Sequence, residues 1–151
     1  CASHISKNAE FEKKDYCLAR LTSIQNELFN LGTTLAASGV ESPSVLPSIT
    51  KDDIKLLEKD IDNMNSTLAP LKSFVLPGSN ELILSTHLVR VVCRRTEKHA
   101  VSVATKYEGL TLTVEYLNRL SDYFFVLGRF LAKQNNIAEE LWSPNNISSK
   151  K

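Results

Sequence analysis

Residues 112–134 read LTVEYLNRLSDYFFVLGRFLAKQ. Within them Leu117, Leu120, Phe124, Leu127 and Leu131 recur at steps of three and four. At about 100° per residue that spacing lines all five side chains along one stripe of a helix. Working outward, the stretch from about Glu10 to Ala37 repeats the pattern at Cys17, Leu21, Ile24, Leu28, Leu31 and Leu35. A third stripe runs through Ile54, Leu57, Ile61, Met64 and Leu68. Thr50 with Asp53 three residues on forms a capping box at its start, and Asp52 favours the positive end of the helix dipole. A further helix is expected from about Asn80 to Lys106, capped by Ser79 or Asn80.

Gly39, the Pro43- and Pro47-containing segment, Pro70, the Pro77-Gly78 turn and Gly109 fall between these stretches, where helices end. No stretch alternates with period two over a convincing length. The nearest, Val101 to Val103, lies inside the helix from Asn80. Three stripes of heptad-like spacing and a fourth expected helix, joined by short linkers, predict an all-α, antiparallel helical bundle.

The 151 residues suit one domain, 1–151, with a polar tail over 135–151 that is expected to fray after Trp142, the alternative being that Ile137, Leu141 and Trp142 dock as a short amphipathic turn. A formal net charge of +1 argues against a general grip on nucleic acid or an anionic membrane. Basic residues cluster at Arg90, Arg94, Arg95 and Lys98, so any anion site is local. Apolar runs fall short of the ~20 residues of a membrane span, and no charged, apolar and small-residue start reads as a signal peptide.

Cys1, Cys17 and Cys93 have no CxxC spacing, which indicates neither a zinc knuckle nor a disulfide framework. Cys17 and Cys93 lie in apolar helical patterns and are expected to be core thiols in a reducing compartment. Asn65-Ser66-Thr67 and Asn146-Ile147-Ser148 read as chance matches to the glycosylation pattern. His4 is expected at the surface. His87 and His99 have no metal-ligand spacing, and no protein-bound metal is assigned. No glycine pair fits a P-loop or a G-x-G-x-x-G element.

Two polar faces depart from a plain bundle. Arg90, Arg94 and Glu97 share a face with His87 at helical spacing, inside a collar of Leu88, Val89, Val91 and Val92. A helix apolar nearly all round is expected to be buried. A buried guanidinium needs an anion: a carboxylate, a neighbouring subunit or a phosphate. The alternative is a solvated stripe with Arg94 and Glu97 paired, and Arg95 and Lys98 face water on either view. On the last helix Asn118, Asp122, Phe125 and Arg129 form a strip suited to a polar ligand with a ring. Its alternative is a mixed surface with Arg119 and Asp122 paired. Phe74, just before the Pro-Gly turn, is expected to plug the core.

Four blocks carry a resemblance: Ile24-Gln25-Asn26-Glu27-Leu28-Phe29-Asn30-Leu31-Gly32, Phe74-Val75-Leu76-Pro77-Gly78, His87 through Glu97, and Leu117-Asn118-Arg119-Leu120-Ser121-Asp122-Tyr123-Phe124-Phe125. In this order, over roughly residues 20 to 133, they resemble the signature blocks of the PduO-type ATP:cob(I)alamin adenosyltransferases. The resemblance implies a five-helix bundle, four long helices plus a short one, assembled as a homotrimer with active sites between subunits. It implies attack of cob(I)alamin, or of cob(I)yrinic acid a,c-diamide, on the 5′ carbon of ATP, giving the adenosylated corrinoid and triphosphate.

By position, Arg94 would contact the triphosphate and Asn118 would hold the nucleotide. Glu97 would support the phosphate and Mg²⁺ region, and Arg90 would pair with an acidic residue across the interface. Phe74, Phe125 and Asp122 would lie on the corrinoid side, where the family uses an aromatic to displace the lower axial ligand of cobalt. The family's Thr-Lys-Thr-Gly-Asp-type loop, and the Asp-Glu-Leu block that holds the expected partner of Arg90, have no counterpart here. Gly78-Ser79 stands where the family has Gly-Gly. A non-catalytic homologue that binds a corrinoid or a partner protein is the alternative. The cytoplasm is the expected location, with the mitochondrial matrix as the alternative.

Overall fold

The computed structural model describes residues 1–8, 11–37, 47–78, 80–107 and 109–143. They form five helices: α1 (Ala2–Asn8), α2 (Lys14–Ala37), α3 (Lys51–Asn65), α4 (Glu81–Ala104) and α5 (Thr111–Gln134). The sequence pattern placed α2 from about Glu10, but the helix begins at Lys14 and a separate short helix precedes it. The proline-bearing stretch 38–46, the tail beyond 143, Ser79 and the Asn146 glycosylation match lie outside the described residues.

The helix starts follow local chemistry. Thr50 caps α3 through its side chain, and Asp53 returns a carboxylate to the Thr50 backbone N–H at 2.8 Å, completing the capping box. Asn80 caps α4 by accepting from the Leu82 N–H at 2.9 Å. Gly78 and Gly109 take positive φ, at +69° and +86°, in the turns before α4 and α5.

α5 is the central helix. All five residues of its leucine and phenylalanine stripe are buried, and from Val126 to Ala132 every residue is buried. α4 packs antiparallel along it, with Arg90 level with Phe125 and Glu97 level with Asn118. Thr86 meets Gly128, whose missing side chain lets the two helices approach closely. α3 covers a second side of α5. α2 runs antiparallel to α3 and α5, linked to both through a buried polar network.

In that network Arg20 donates to Asp60 at 3.0 Å and to Glu27 at 2.6 Å. Tyr116 donates to Glu27 at 2.5 Å and Tyr16 to Asp60 at 2.6 Å. Burial alone would lower the Arg20 pKa, but the Glu27 bond and charge more than offset it and hold the guanidinium ionised. Cys17 and Cys93 are core thiols as expected, pushed up to about 11 chiefly by burial.

Two packing expectations fail. Phe74 does not plug the core and is 77% exposed. Leu88, Val91 and Val92 are also exposed, at 58%, 61% and 49%, because the core side of α4 is carried by Leu82, Ile83, Thr86, His87, Cys93 and Ala100. The described residues after α5 do not take the alternative form of an amphipathic turn. Ile137 packs against the core, while Val75 and Leu141 form an antiparallel bridge that joins residues 74–76 to 140–142.

Candidate active site

The seam between α4 and α5 gathers most of the residues singled out in the sequence. At one level the Arg90 guanidinium lies over the Phe125 ring, 4.9 Å from its centroid, a cation–π contact. Two turns along, the Asn118 side-chain amide donates to a Glu97 carboxylate oxygen at 2.8 Å. Arg119 donates to the Asn118 carbonyl oxygen at 2.7 Å and pairs with Asp122 at 3.5 Å. Asn118 therefore has both ends of its amide fixed, and its orientation is set by two charged neighbours.

Arg94 stands between these two levels on α4. It is exposed and has no ion-pair partner among the described residues. The Arg94–Glu97 pair of the solvated-stripe alternative does not form, because Glu97 turns to Asn118. The Arg119–Asp122 pair of the mixed-surface alternative does form. An open cleft of about 750 Å³ lies beside the Asn118–Glu97 pair, bordered also by Glu58, Thr105, Thr111, Glu115 and Arg119.

Two residues drawn onto these faces by spacing belong elsewhere. His87 is buried against α5 with its Nε2 unpartnered, and burial with the Arg90 charge lowers its pKa. Arg129 is buried too, donating to Glu139 at 2.7 Å and to the Ala69 carbonyl at 2.9 Å. It clamps the segment after α5 to the bundle.

Phe74 lies on the ribbon with residues 140–142, its ring edge-on to Trp142 at 6.2 Å. The structure does not bring Phe74 into contact with Phe125 or Asp122. Spacing also missed the Arg20–Asp60 network. Its signal was present as Tyr16, Arg20 and Glu27 at steps of four and seven beside the apolar stripe of α2.

The fold and seam define a helical-bundle protein with an arginine and an asparagine–glutamate pair displayed side by side. The Cobalamin adenosyltransferase family model matches residues 1–131. The chain is 41% identical over 127 residues to the corrinoid adenosyltransferase of Mycobacterium tuberculosis, covering 82% of this chain and 64% of that protein. A PduO-type ATP:corrinoid adenosyltransferase variant from Lactobacillus reuteri, complexed with cobalamin and ATP, superimposes with a TM-score of 0.81. It is 24% identical, covering 93% of this chain and 77% of that one. A second variant of that enzyme, complexed with ATP, has a TM-score of 0.77 at 26% identity, covering 94% and 81%.

The chain belongs to the cobalamin adenosyltransferase family. It spans 64% of the length of the curated mycobacterial relatives that match it at 41% identity.

Proposed function

We propose that the protein transfers the 5′-deoxyadenosyl group of ATP to the cobalt of cob(I)alamin. The cobalt–carbon bond forms as the bond from C5′ to the triphosphate oxygen breaks, and inorganic triphosphate leaves. The observation that carries this reading is Arg94, a cation without a partner among the described residues, standing beside the oriented Asn118–Glu97 pair.

Negative charge grows on the departing triphosphate, so a fixed guanidinium at that point stabilises the transition state more than the ground state. Asn118, locked by Arg119 and Glu97, offers the nucleotide a rigid polar contact. Arg90 is half-buried over Phe125 and supports the same face. Phe74, Phe125 and Asp122 are assigned to the corrinoid side.

Mg²⁺ fits this arrangement as a companion of the nucleotide. Glu97 would supply one carboxylate, and no cluster of three or more ligating side chains occurs among the described residues. Mg²⁺ commonly binds in that way, through one or two carboxylates, substrate phosphates and water. It would neutralise leaving-group charge, while the chain's own residues hold and orient the substrates.

The assembly we assign is a homotrimer with its sites between subunits. Leu84, Leu88, Val91 and Val92 leave an apolar stripe exposed on α4 next to the arginines, the kind of surface that marks a protein contact. No helix among the described residues is long and apolar enough to cross a membrane. The cytoplasm is the compartment we favour, with the mitochondrial matrix as the alternative.

The test is formation of adenosylcobalamin from ATP, Mg²⁺ and chemically reduced cobalamin by the full-length protein. Arg94→Ala is expected to lower kcat by about 10²–10³ with an unchanged melting temperature, since the side chain is exposed. Corrinoid binding without turnover in the parent protein would establish the non-catalytic alternative instead.

A further inference from the structure

The segment that follows α5 returns across the molecule and binds the loop that carries Phe74. Asn136 takes a positive φ of 53°, and the Ile137 N–H closes onto the Ala132 carbonyl at 2.8 Å, turning the chain back. Glu139 is then held by buried Arg129 at 2.7 Å. Beyond it the Leu76 N–H donates to the Glu140 carbonyl at 2.7 Å and the Trp142 N–H to the Phe74 carbonyl at 2.8 Å. The Ser73 hydroxyl adds a bond to the Trp142 carbonyl at 2.7 Å.

These bonds flank the bridge between Val75 and Leu141 and make Phe74 and Trp142 directly opposed cross-strand neighbours. Residues so opposed project to the same face of a ribbon. Their rings accordingly meet edge to face, at 6.2 Å and 73°. Phe74 has little else to hold it, being 77% exposed. A phenyl ring on a surface loop samples several rotamers unless a neighbour restricts it.

We infer that Trp142 is a positioning residue for the corrinoid, holding the Phe74 ring in the orientation in which it meets that substrate. The inference rests on the assignment of Phe74 to the corrinoid side. Trp142 acts through Phe74: the ribbon fixes the backbone of the loop, and the indole fixes the ring. The nucleotide end of the seam lies on other residues, so ATP handling is independent of Trp142.

The experiment compares Trp142→Ala, Trp142→Phe, Phe74→Ala and the double alanine variant in the full-length protein. It measures KM for cob(I)alamin, KM for ATP, and the change in the visible spectrum when cob(II)alamin binds in the presence of ATP. Trp142→Ala is expected to raise the corrinoid KM about three- to tenfold, weaken the spectral change and leave the ATP KM in place. Trp142→Phe restores an aromatic edge and recovers most of both corrinoid readouts.

The double variant is expected to be no worse than Phe74→Ala alone, the non-additivity of residues acting through one another. Full additivity, or a Trp142→Ala protein with normal corrinoid readouts beside an impaired Phe74→Ala, overturns the role of Trp142 and leaves the assignment of Phe74 standing. Normal corrinoid readouts in Phe74→Ala overturn that assignment itself. Both alanine sites are at the surface. Should Trp142→Ala nonetheless melt early, Trp142→Leu keeps apolar cover without a ring, and the same readouts decide.

Discussion

The side-chain amide of Asn118 donates to Glu97 across the α4–α5 seam at 2.8 Å, while its carbonyl oxygen accepts from Arg119 at 2.7 Å. Each end of the amide thus meets the charge it suits, and a flipped amide would oppose both. The nucleotide contact assigned to Asn118 depends on this orientation.

That arrangement predicts the behaviour of a near-isosteric change. In Asn118→Asp the bond from Arg119 survives, but a second carboxylate now faces Glu97. Losing a hydrogen bond to a charged group and gaining like-charge contact is expected to raise the ATP KM about tenfold or more near neutral pH. Adding Glu97→Gln relieves the like-charge contact but also removes the carboxylate assigned to Mg²⁺, so the double variant should not recover the ATP KM of the parent. Steady-state kinetics checks both. Equal ATP KM values for parent and Asn118→Asp would remove Asn118 from the nucleotide site.

A second prediction concerns stability. Arg20 and Asp60 are each 4% exposed, and the Arg20 Nη2 is already without a partner. Asp60→Ala strips the guanidinium of one of its two carboxylates and leaves the Tyr16 hydroxyl unpaired. Breaking a buried pair from one side costs about 3–5 kcal/mol. Denaturant melts should show this as a lower midpoint at unchanged slope. Replacing the exposed Asp62, two residues along α3, should have almost no effect. A midpoint in Asp60→Ala within error of the parent would mean that the network is dispensable.

The bundle was legible because its core is built from leucines and isoleucines at steps of three and four, a pattern that burial enforces locally. On the α4–α5 face, helical spacing grouped Arg90, Arg94 and Glu97 on one helix and Asn118 and Phe125 on the other, but it did not encode that the two groups meet across a seam. The fate of Phe74 was not legible. Its exposure is decided by a partner 68 positions away in sequence, counting from 74 to 142, and no local spacing encodes such a pairing. The apolar collar of α4 misled for a different reason. Periodicity says which residues are apolar, whereas only the placement of α5 says which side it covers. Arg129 looked like part of a ligand strip because its partners, Glu139 and Ala69, come from segments without periodicity.

The seam that positions the site is itself held close by Gly128, and this gives a third prediction. A Cβ at that position would lie 2.5 Å from the Thr86 Oγ1 and 3.8 Å from the His87 Nε2. Thr86 is fully buried and its hydroxyl donates to the Ile83 carbonyl at 2.7 Å, so the oxygen cannot withdraw without losing that bond. Gly128→Ala therefore either pushes α4 away from α5 or displaces Thr86 from its rotamer, at a cost of about 1–3 kcal/mol. The gain in helix propensity, about 1 kcal/mol, offsets only part of it. Removing the obstructing oxygen in the Gly128→Ala, Thr86→Ala pair should restore much of the lost stability, a coupling that urea midpoints of the four proteins in the cycle will report. If Gly128→Ala alone is more stable than the parent, propensity has won and the helices have room to spare at this crossing.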